Sequence, residues 1–278
     1  MPRTTAISLL AGAETPADLA EIYGLVIDNI RKTALSQSLK SNNYTGNPAA
    51  GSAEFRRFAN SESKDYGTAR AAQKGDKIKA APITVNLDQH KEIVEEVAKF
   101  DLDTFGVTNV MQRRADNHVT SVATALDKVY FAQLAADGTK FTPADTGIAE
   151  IVESFIQTLE TVENDYVNGV DRSLIDVVLS PAQYGKLRIF LDTQANPNVN
   201  TAGEEFGMYH GVRIYNSARL GTGVHGLCMI RGAAAQPCKV DQYSAPEKIP
   251  LSNDFAVSLF YDYGTKTLTP DLVFAWKD

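Results

Sequence analysis

The sequence predicts an α+β fold, and three observations carry that expectation. One helix-period stripe runs over residues 104–137, far beyond an ordinary helix. Helix-like and strand-like segments are mixed along the chain without the strict alternation of a parallel α/β protein. Residues 212–276 then read mainly as strands.

In the long stripe, Met111, Ala115, Val119, Val122, Leu126 and Val129 recur at steps of three and four, which is the helical period. Gln112, Arg113, Asp116, Asn117, Asp127 and Lys128 are expected on the solvent face. Gly138 is expected to stop the helix in the left-handed conformation. Residues 108–136 would span about 40 Å at about 1.5 Å per residue. Globular helices average about eleven or twelve residues, so this beam needs an elongated body to lie against.

Taken in order, residues 1–14 have no pattern. Thr15-Pro16-Ala17-Asp18 is a helix start, with Thr as cap and Pro in the first turn. Leu19, Ile22, Tyr23, Val26 and Ile30 form the apolar stripe that follows, to about Leu35. Residues 36–52 are polar with Gly and Pro and read as a linker. Residues 54–60 and 78–87 are strand candidates, the second with Ile83, Val85 and Leu87 alternating and Pro82 marking an edge or bulge. Between them lies a connection without core residues, long for a compact domain. Residues 88–100 are expected to form a short helix capped by Asp88, with Ile93, Val94 and Val97 inward. Thr142-Pro143-Ala144-Asp145 repeats the helix-start pattern and opens a helix to Asn164. Residues 174–179 form a buried strand, and a helix runs from Ser180-Pro181 to Asp192. Strands are expected at 212–215, 226–230, 239–243, 256–263 and 267–276.

The 278-residue chain has 44% apolar residues and a net charge of −7. The apolar share allows a substantial core, and the acidity argues against a dedicated nucleic-acid binder. Two cysteines give no disulfide framework. No apolar run approaches the roughly 18 residues of a membrane span, and the N-terminus makes a poor secretory signal.

No catalytic, cofactor or metal site emerges. Gly221-Thr222-Gly223-Val224-His225-Gly226 matches G-x-G-x-x-G, with Asp241 downstream. A dinucleotide site needs a helix after the glycines, whereas Leu227-Cys228-Met229-Ile230 is strand-like. His225, Cys228 and Cys238 fall short of a zinc set. His118 reads as a core or boundary histidine. Glu92, Glu95 and Glu96 read as a solvated helix face. Arg56, Arg57, Arg113 and Arg114 are either partners for ion pairs between subunits or single exposed arginines.

What remains is shape: an amphipathic arm, a hairpin whose tip has no core, and a beam. Such parts bury their apolar surface fully only against other subunits, as in a lattice-forming protein.

The runs PITVNLDQHKEIVEEV, RRADNHV and ALDKVYF, within residues 82–134, resemble the major capsid proteins of tailed bacteriophages, with the Hong Kong 97-type coat fold. DVVLSPAQYGKL (176–187), FGMYHGVRIYNSARL (206–220) and IPLSNDFAVSLFYDYGTKTLTPDLVF (249–274) are similar too. The likeness covers most of the chain from Glu54, and the order of parts carries it. It implies an N-terminal arm (1–53), an extended E-loop (54–88), a peripheral domain with the spine helix (89–142), an axial domain (143–245) and a return to the peripheral domain (246–278).

The resemblance further implies pentamers and hexamers of this chain in an icosahedral shell around double-stranded DNA, which is held without sequence-specific binding. It implies a virion capsid assembled in the bacterial host cytoplasm, with a separate scaffolding protein or none, and with a portal and decoration proteins as partners, and no membrane. Lys64, Tyr66, Arg70, Lys74 and Lys77 of the E-loop are the expected inter-subunit contacts, together with Leu19, Ile22, Tyr23, Val26 and Ile30 of the arm. Encapsulin shells share that fold and are the alternative. A dinucleotide-dependent oxidoreductase is the alternative of another class.

Overall fold

The computed structural model describes residues 29–30, 32–43, 51–61, 63–68, 72, 75, 77–100, 107–193, 208–243 and 247–278. In chain order the elements are α1 (Leu35–Leu39), β1 (Ser52–Phe58), β2 (Ala80–Asn86), β3 (Gln89–Val97), α2 (Val107–Asp137), β4 (Thr139–Phe141) and α3 (Ile148–Glu160). Then come β5 (Glu163–Asn164), β6 (Val167–Asn168), β7 (Ile175–Leu179), α4 (Pro181–Thr193), β8 (Met208–Tyr209), β9 (Val212–Asn216) and β10 (Val224–Ile230). The chain ends with β11 (Ala234–Ala235), β12 (Cys238–Tyr243), β13 (Glu247–Lys248), β14 (Phe255–Tyr263), β15 (Lys266–Thr267) and β16 (Val273–Lys277).

The main sheet has the order β4-β16-β10-β7-β9-β8, mixed in direction. Its side chains alternate between two buried faces, which explains the unbroken apolar run of β7. Ile175, Val177, Cys228, Phe274 and Trp276 point toward α3 and α4. Val178, Leu227, Met229, Val273 and Ala275 point toward the C-terminal half of α2, against Tyr130, Phe131 and Leu134. The N-terminal half of α2 covers a second sheet instead. There Val119, Val122 and Leu126 meet Val257, Leu259 and Tyr261 of β14. The 31-residue helix therefore bridges two sheets.

The structure corrects several expectations. Residues 89–97 form a strand, paired along its whole length with β14. Its inward residues are Ile93, Glu95 and Val97, while Val94 faces solvent. The inward carboxylate hides the period of two from a count of apolar residues. Arg114 Nε donates to Glu95 Oε2 (2.6 Å), and His118 Nε2 lies 2.9 Å from the same oxygen. The Arg114 bond holds the Glu95 carboxyl below its ordinary pKa, against the opposing effect of burial. Glu95 and Arg114 are thus partners within one subunit, tying β3 to α2.

Gly138 is not in the left-handed conformation. A Cβ there would stand 2.7 Å from Leu134 O and 2.8 Å from Val273 Cγ1, so close packing on β16 requires the glycine. The helix opened by Thr142-Pro143 begins only at Ile148, after Gly147. The strand expected over 267–276 is broken by a 3-10 turn at Pro270–Leu272. Strand pairing also crosses the expected domain bounds: β12 joins β14, and β16 lies between β4 and β10.

The expected linker is docked at its start. Asp127, placed on the solvent face by the sequence pattern, is buried and caps α1 from outside. Its carboxylate accepts from the backbone N–H of Leu35 (3.2 Å) and Ser36 (2.8 Å) and from Arg219 Nη1 (2.5 Å). α1 has no side-chain cap of its own, because Ala34 occupies the cap position; Asp127 supplies the acceptor that the first turn lacks. Leu39 is buried with Tyr130 and Phe131. Ser41 N donates to Ala234 O (2.8 Å) and Gly232 N to Leu39 O (2.8 Å), closing the join.

Candidate functional site

The β1–β2 hairpin is the feature around which contacts between subunits are expected, and its two ends differ. Its paired part is docked on the body. Ala53, Phe55 and Val85 pack with Ala235 and Leu268. Gly264 passes so close to the end of β2 that a Cβ would lie 1.8 Å from Asn86 O. At the far end of β1, Arg57 forks onto Asp271 with bonds of 2.6 and 2.7 Å. Asn164 Nδ2 adds a 2.6 Å bond to Asp271, and the Arg57 guanidinium sits 4.0 Å above the centre of the Tyr166 ring. Burial raises the cost of charge on Asp271, but the Arg57 fork outweighs it and keeps the carboxyl below its usual pKa. Asn60 N donates to Asp165 O (2.9 Å). Arg57 is thus engaged within its own chain, as is Arg56 with Glu54 (3.0 Å).

Past Asn60 the described tip residues are exposed. Lys64 and Lys77 are on the surface, and Tyr66 is fully exposed. Arg70 and Lys74 lie outside the described residues, as do Leu19, Ile22, Tyr23 and Val26 of the arm. Ile30 is described and corrects its expectation: it is buried against its own subunit's α2 and β14, with no surface left for a neighbour. Two tip residues escaped the sequence reading. Phe58 and Ile78 are exposed apolar side chains, with Phe58 opposite Ala80 on the outward face of the hairpin. Alternation along β1 and β2 could have shown them, because Phe55 and Ile83 claim the inward face.

Elsewhere the polar clusters are structural. Arg231 Nε holds Asp176 Oδ2 (3.1 Å) beneath α2; burial pushes the Asp176 carboxyl up, with Arg231 opposing. Burial likewise pushes up the Cys228 thiol, which leaves it a poor nucleophile. Gly221–Gly223 is a turn into β10 with Gly223 at φ 76°, and Gly226 lies within the strand, so no helix follows the glycines. His225 pairs with Asp278 (2.8 Å) and His90 with Asp262 (2.7 Å), both on the surface. Among the described residues no three His, Cys, Asp or Glu side chains cluster as metal ligands, and no helix is long and apolar enough to cross a membrane.

No family model and no curated protein matches the chain. Solved structures do. A structure from Mycobacterium phage Che8 is 21% identical, covers 81% of this chain and 84% of its own, and has a TM-score of 0.62. The capsid of cyanophage P-SCSP1u is 16% identical, with 88% of each chain covered and a TM-score of 0.64. The virus-like particle of Pyrococcus furiosus is 10% identical over 91% of this chain and 96% of its own, with a TM-score of 0.56. The chain has the Hong Kong 97-type coat fold.

Proposed function

We propose that the chain is the major capsid protein of a tailed phage, assembling into an icosahedral shell around double-stranded DNA. The observation that carries this reading is the fold, matched over most of the chain to the capsid of cyanophage P-SCSP1u and to other phage capsids. The docked hairpin with an exposed tip agrees with it: a rigid base and a coreless end suit a contact reaching outside the subunit. The tip at residues 61–77 has four basic against three acidic side chains. That balance is too even for phosphate binding to be its purpose, since affinity grows with the number of neutralised contacts.

In this reading the tip, with Lys64, Tyr66, Arg70, Lys74 and Lys77, meets a neighbouring subunit, and Leu19, Ile22, Tyr23 and Val26 cover another. Pentamers and hexamers form the shell in the host cytoplasm, with scaffolding, portal and decoration proteins as partners. No step requires catalysis or a cofactor.

The test is electron microscopy of purified protein together with a tip replacement. Wild-type protein should give megadalton icosahedral particles. Replacing residues 62–76 by a short Gly-Ser turn should leave thermal unfolding within about 1–2 °C, because that stretch has no large apolar side chain but Tyr66, which is fully exposed, and should abolish or misdirect the shell. Normal shells from that variant would refute the role given to the tip. Particles filled with an enzyme and free of DNA would favour the encapsulin alternative.

A further inference from the structure

β3 is an edge strand of unusual length. It spans nine residues and pairs only with β14 among the described residues, so one whole side of its backbone is open. Long open edges template further strands unless they are blunted. β3 has neither proline nor bulge. It carries charge, with one lysine against three glutamates. Glu95 turns inward to Arg114 and His118, while Glu92 and Glu96 flank Val94 on the outer face. Such an edge rejects a copy of itself and accepts a basic strand.

The chain holds an exposed basic segment that fits, running from residue 77 into the start of β2. Ala59 N donates to Lys79 O (3.1 Å) and Leu87 N to Gly51 O (2.9 Å). In the antiparallel register of β1 and β2 these bonds fix the alternation, so the backbone groups of residues 78, 80, 82 and 84 point away from β1. Pro82 has no N–H, and Thr84 O already accepts from Lys266 Nζ (3.2 Å). The distal stretch, residues 77–80, is the part of that edge left for a ladder. It reads Lys-Ile-Lys-Ala, with both lysines exposed and Ile78 84% exposed.

We propose that the open edge of β3 takes residues 77–80 from a second copy of this chain, extending the β3–β14–β12 sheet from one subunit into the next. Lys77 and Lys79 then lie within direct or diagonal reach of Glu92 and Glu96, while Ile78 shares a face with half-buried Ile93. Main-chain bonds of Ile78 and Ala80 supply the ladder, and the charges choose the partner. This rests on the shell reading and names the surface that receives the hairpin.

The test compares Ile78→Pro with Ile78→Val. Ile78 N–H bonds nothing within the subunit among the described residues, so proline there should leave the hairpin and the unfolding temperature intact. It should cut the assembly yield about tenfold or more, while valine should not. Hydrogen exchange of the β3 peptide should slow by about tenfold or more in wild-type particles relative to free subunits. Glu92→Lys/Glu96→Lys and Lys77→Glu/Lys79→Glu should each fail to assemble, and the four changes in one chain should recover assembly. Ile78→Pro assembling like Ile78→Val, or β3 exchanging equally fast in particles and subunits, would overturn the pairing and leave the shell reading intact. If wild-type protein forms no particles, the shell reading fails. The pairing is then judged with a synthetic peptide of residues 74–82 at about 1 mM: slower β3 exchange in the subunit sustains it, and unchanged exchange refutes it.

Discussion

Replacing Asp127 with alanine removes the acceptor of two backbone N–H groups at the start of α1 and the partner of Arg219. The Ser36 bond, at 2.8 Å, is the strong one of the two amide contacts; the Leu35 bond is longer at 3.2 Å. A hydrogen bond to a charged group contributes about 1.5–3 kcal/mol, and breaking a buried ion pair from one side costs about 3–5 kcal/mol. Arg219 keeps 27% of its side chain exposed, so water relieves part of its loss. The expected cost is therefore near the lower end, about 3 kcal/mol. At about 2–4 °C per kcal/mol for a chain somewhat smaller than this one, the unfolding midpoint should fall by roughly 6–12 °C.

Asp127→Asn keeps one acceptor, for Ser36 N–H, but turns its –NH2 toward Leu35 N–H and Arg219 Nη1, so its cost should be about 2–3 kcal/mol, a little below that of alanine. The double variant Asp127→Ala/Arg219→Ala should lose less than the sum of the singles, because the second change removes a charge already orphaned by the first. Calorimetry reads the midpoint, and hydrogen exchange of residues 35–41 reads whether α1 has undocked. An Asp127→Ala midpoint within about 1 °C of wild type, with α1 amides equally protected, would show that the cap contributes nothing.

Three other outcomes are expected. Gly264→Ala places a methyl 1.8 Å from Asn86 O, a backbone atom, so about 1–3 kcal/mol or more should be lost; a denaturant midpoint equal to wild type would contradict that close approach. Leu126→Asp puts a carboxylate among Val119, Val122, Val257 and Leu259 with no partner, and the protein should be insoluble or unfolded, so a soluble, cooperatively unfolding Leu126→Asp would mean the stripe is not buried. Asp271 and Glu95 have depressed folded-state pKa values, so their contribution is present above about pH 4 and lost as pH falls through the folded values. Asp176, raised by burial, has the opposite sign: its contribution is lost as pH rises through its folded value. Unfolding midpoints between pH 3 and pH 7 should therefore show a shallower acid fall for Arg57→Gln and a smaller penalty at neutral pH for Asp176→Asn, and identical profiles for all three proteins would contradict both signs.

The sequence reading succeeded where burial is apolar and failed where it is polar. The beam was legible because Val119, Val122 and Leu126 keep the helical period and nothing interrupts them. Both strands of the hairpin were legible because Phe55, Ile83 and Val85 alternate. β3 was not, since Ile93, Val94 and Val97 also fit one helical face and Asp88 looks like a cap. The decisive residue is Glu95, an inward carboxylate that counts as solvent-facing until Arg114 and His118 are seen beneath it. Asp127 failed in the same way, its partner Arg219 lying far along the chain. The exposure of Lys64, Tyr66 and Lys77 was readable from the absence of large apolar neighbours. Phe58 and Ile78 were not singled out, because the same residue types usually mark a core.

These misread charges both tie α2 to the rest of the fold: Glu95 of β3 pairs with Arg114 and His118 of the helix, and Asp127 is one of the helix's own residues. Apolar packing alone constrains a helix weakly along its axis, because one turn of Val and Leu resembles the next. Directional partners do not tolerate such a slip. Glu95 reaches α2 through Arg114 and His118, and Asp127 reaches α1 and Arg219. Gln236 Nε2 donates to Leu126 O (2.9 Å), and Lys277 Nζ donates to Ala135 O (2.6 Å) near the helix C-terminus, where a cation also suits the dipole. Each of these contacts comes from a different part of the chain. A slip of α2 by one turn, about 5.4 Å, would bring another main-chain carbonyl to Gln236 and Lys277, but would part Glu95 from Arg114 and His118 and Asp127 from α1 and Arg219, leaving buried charges unpaired. The beam is thereby fixed in register against both sheets and α1. The paired hairpin is held separately by Arg57–Asp271 and by Gly264 against Asn86. The base of its tip is thus held at a set place on the body, which the proposed contact, repeated around a closed shell, would require.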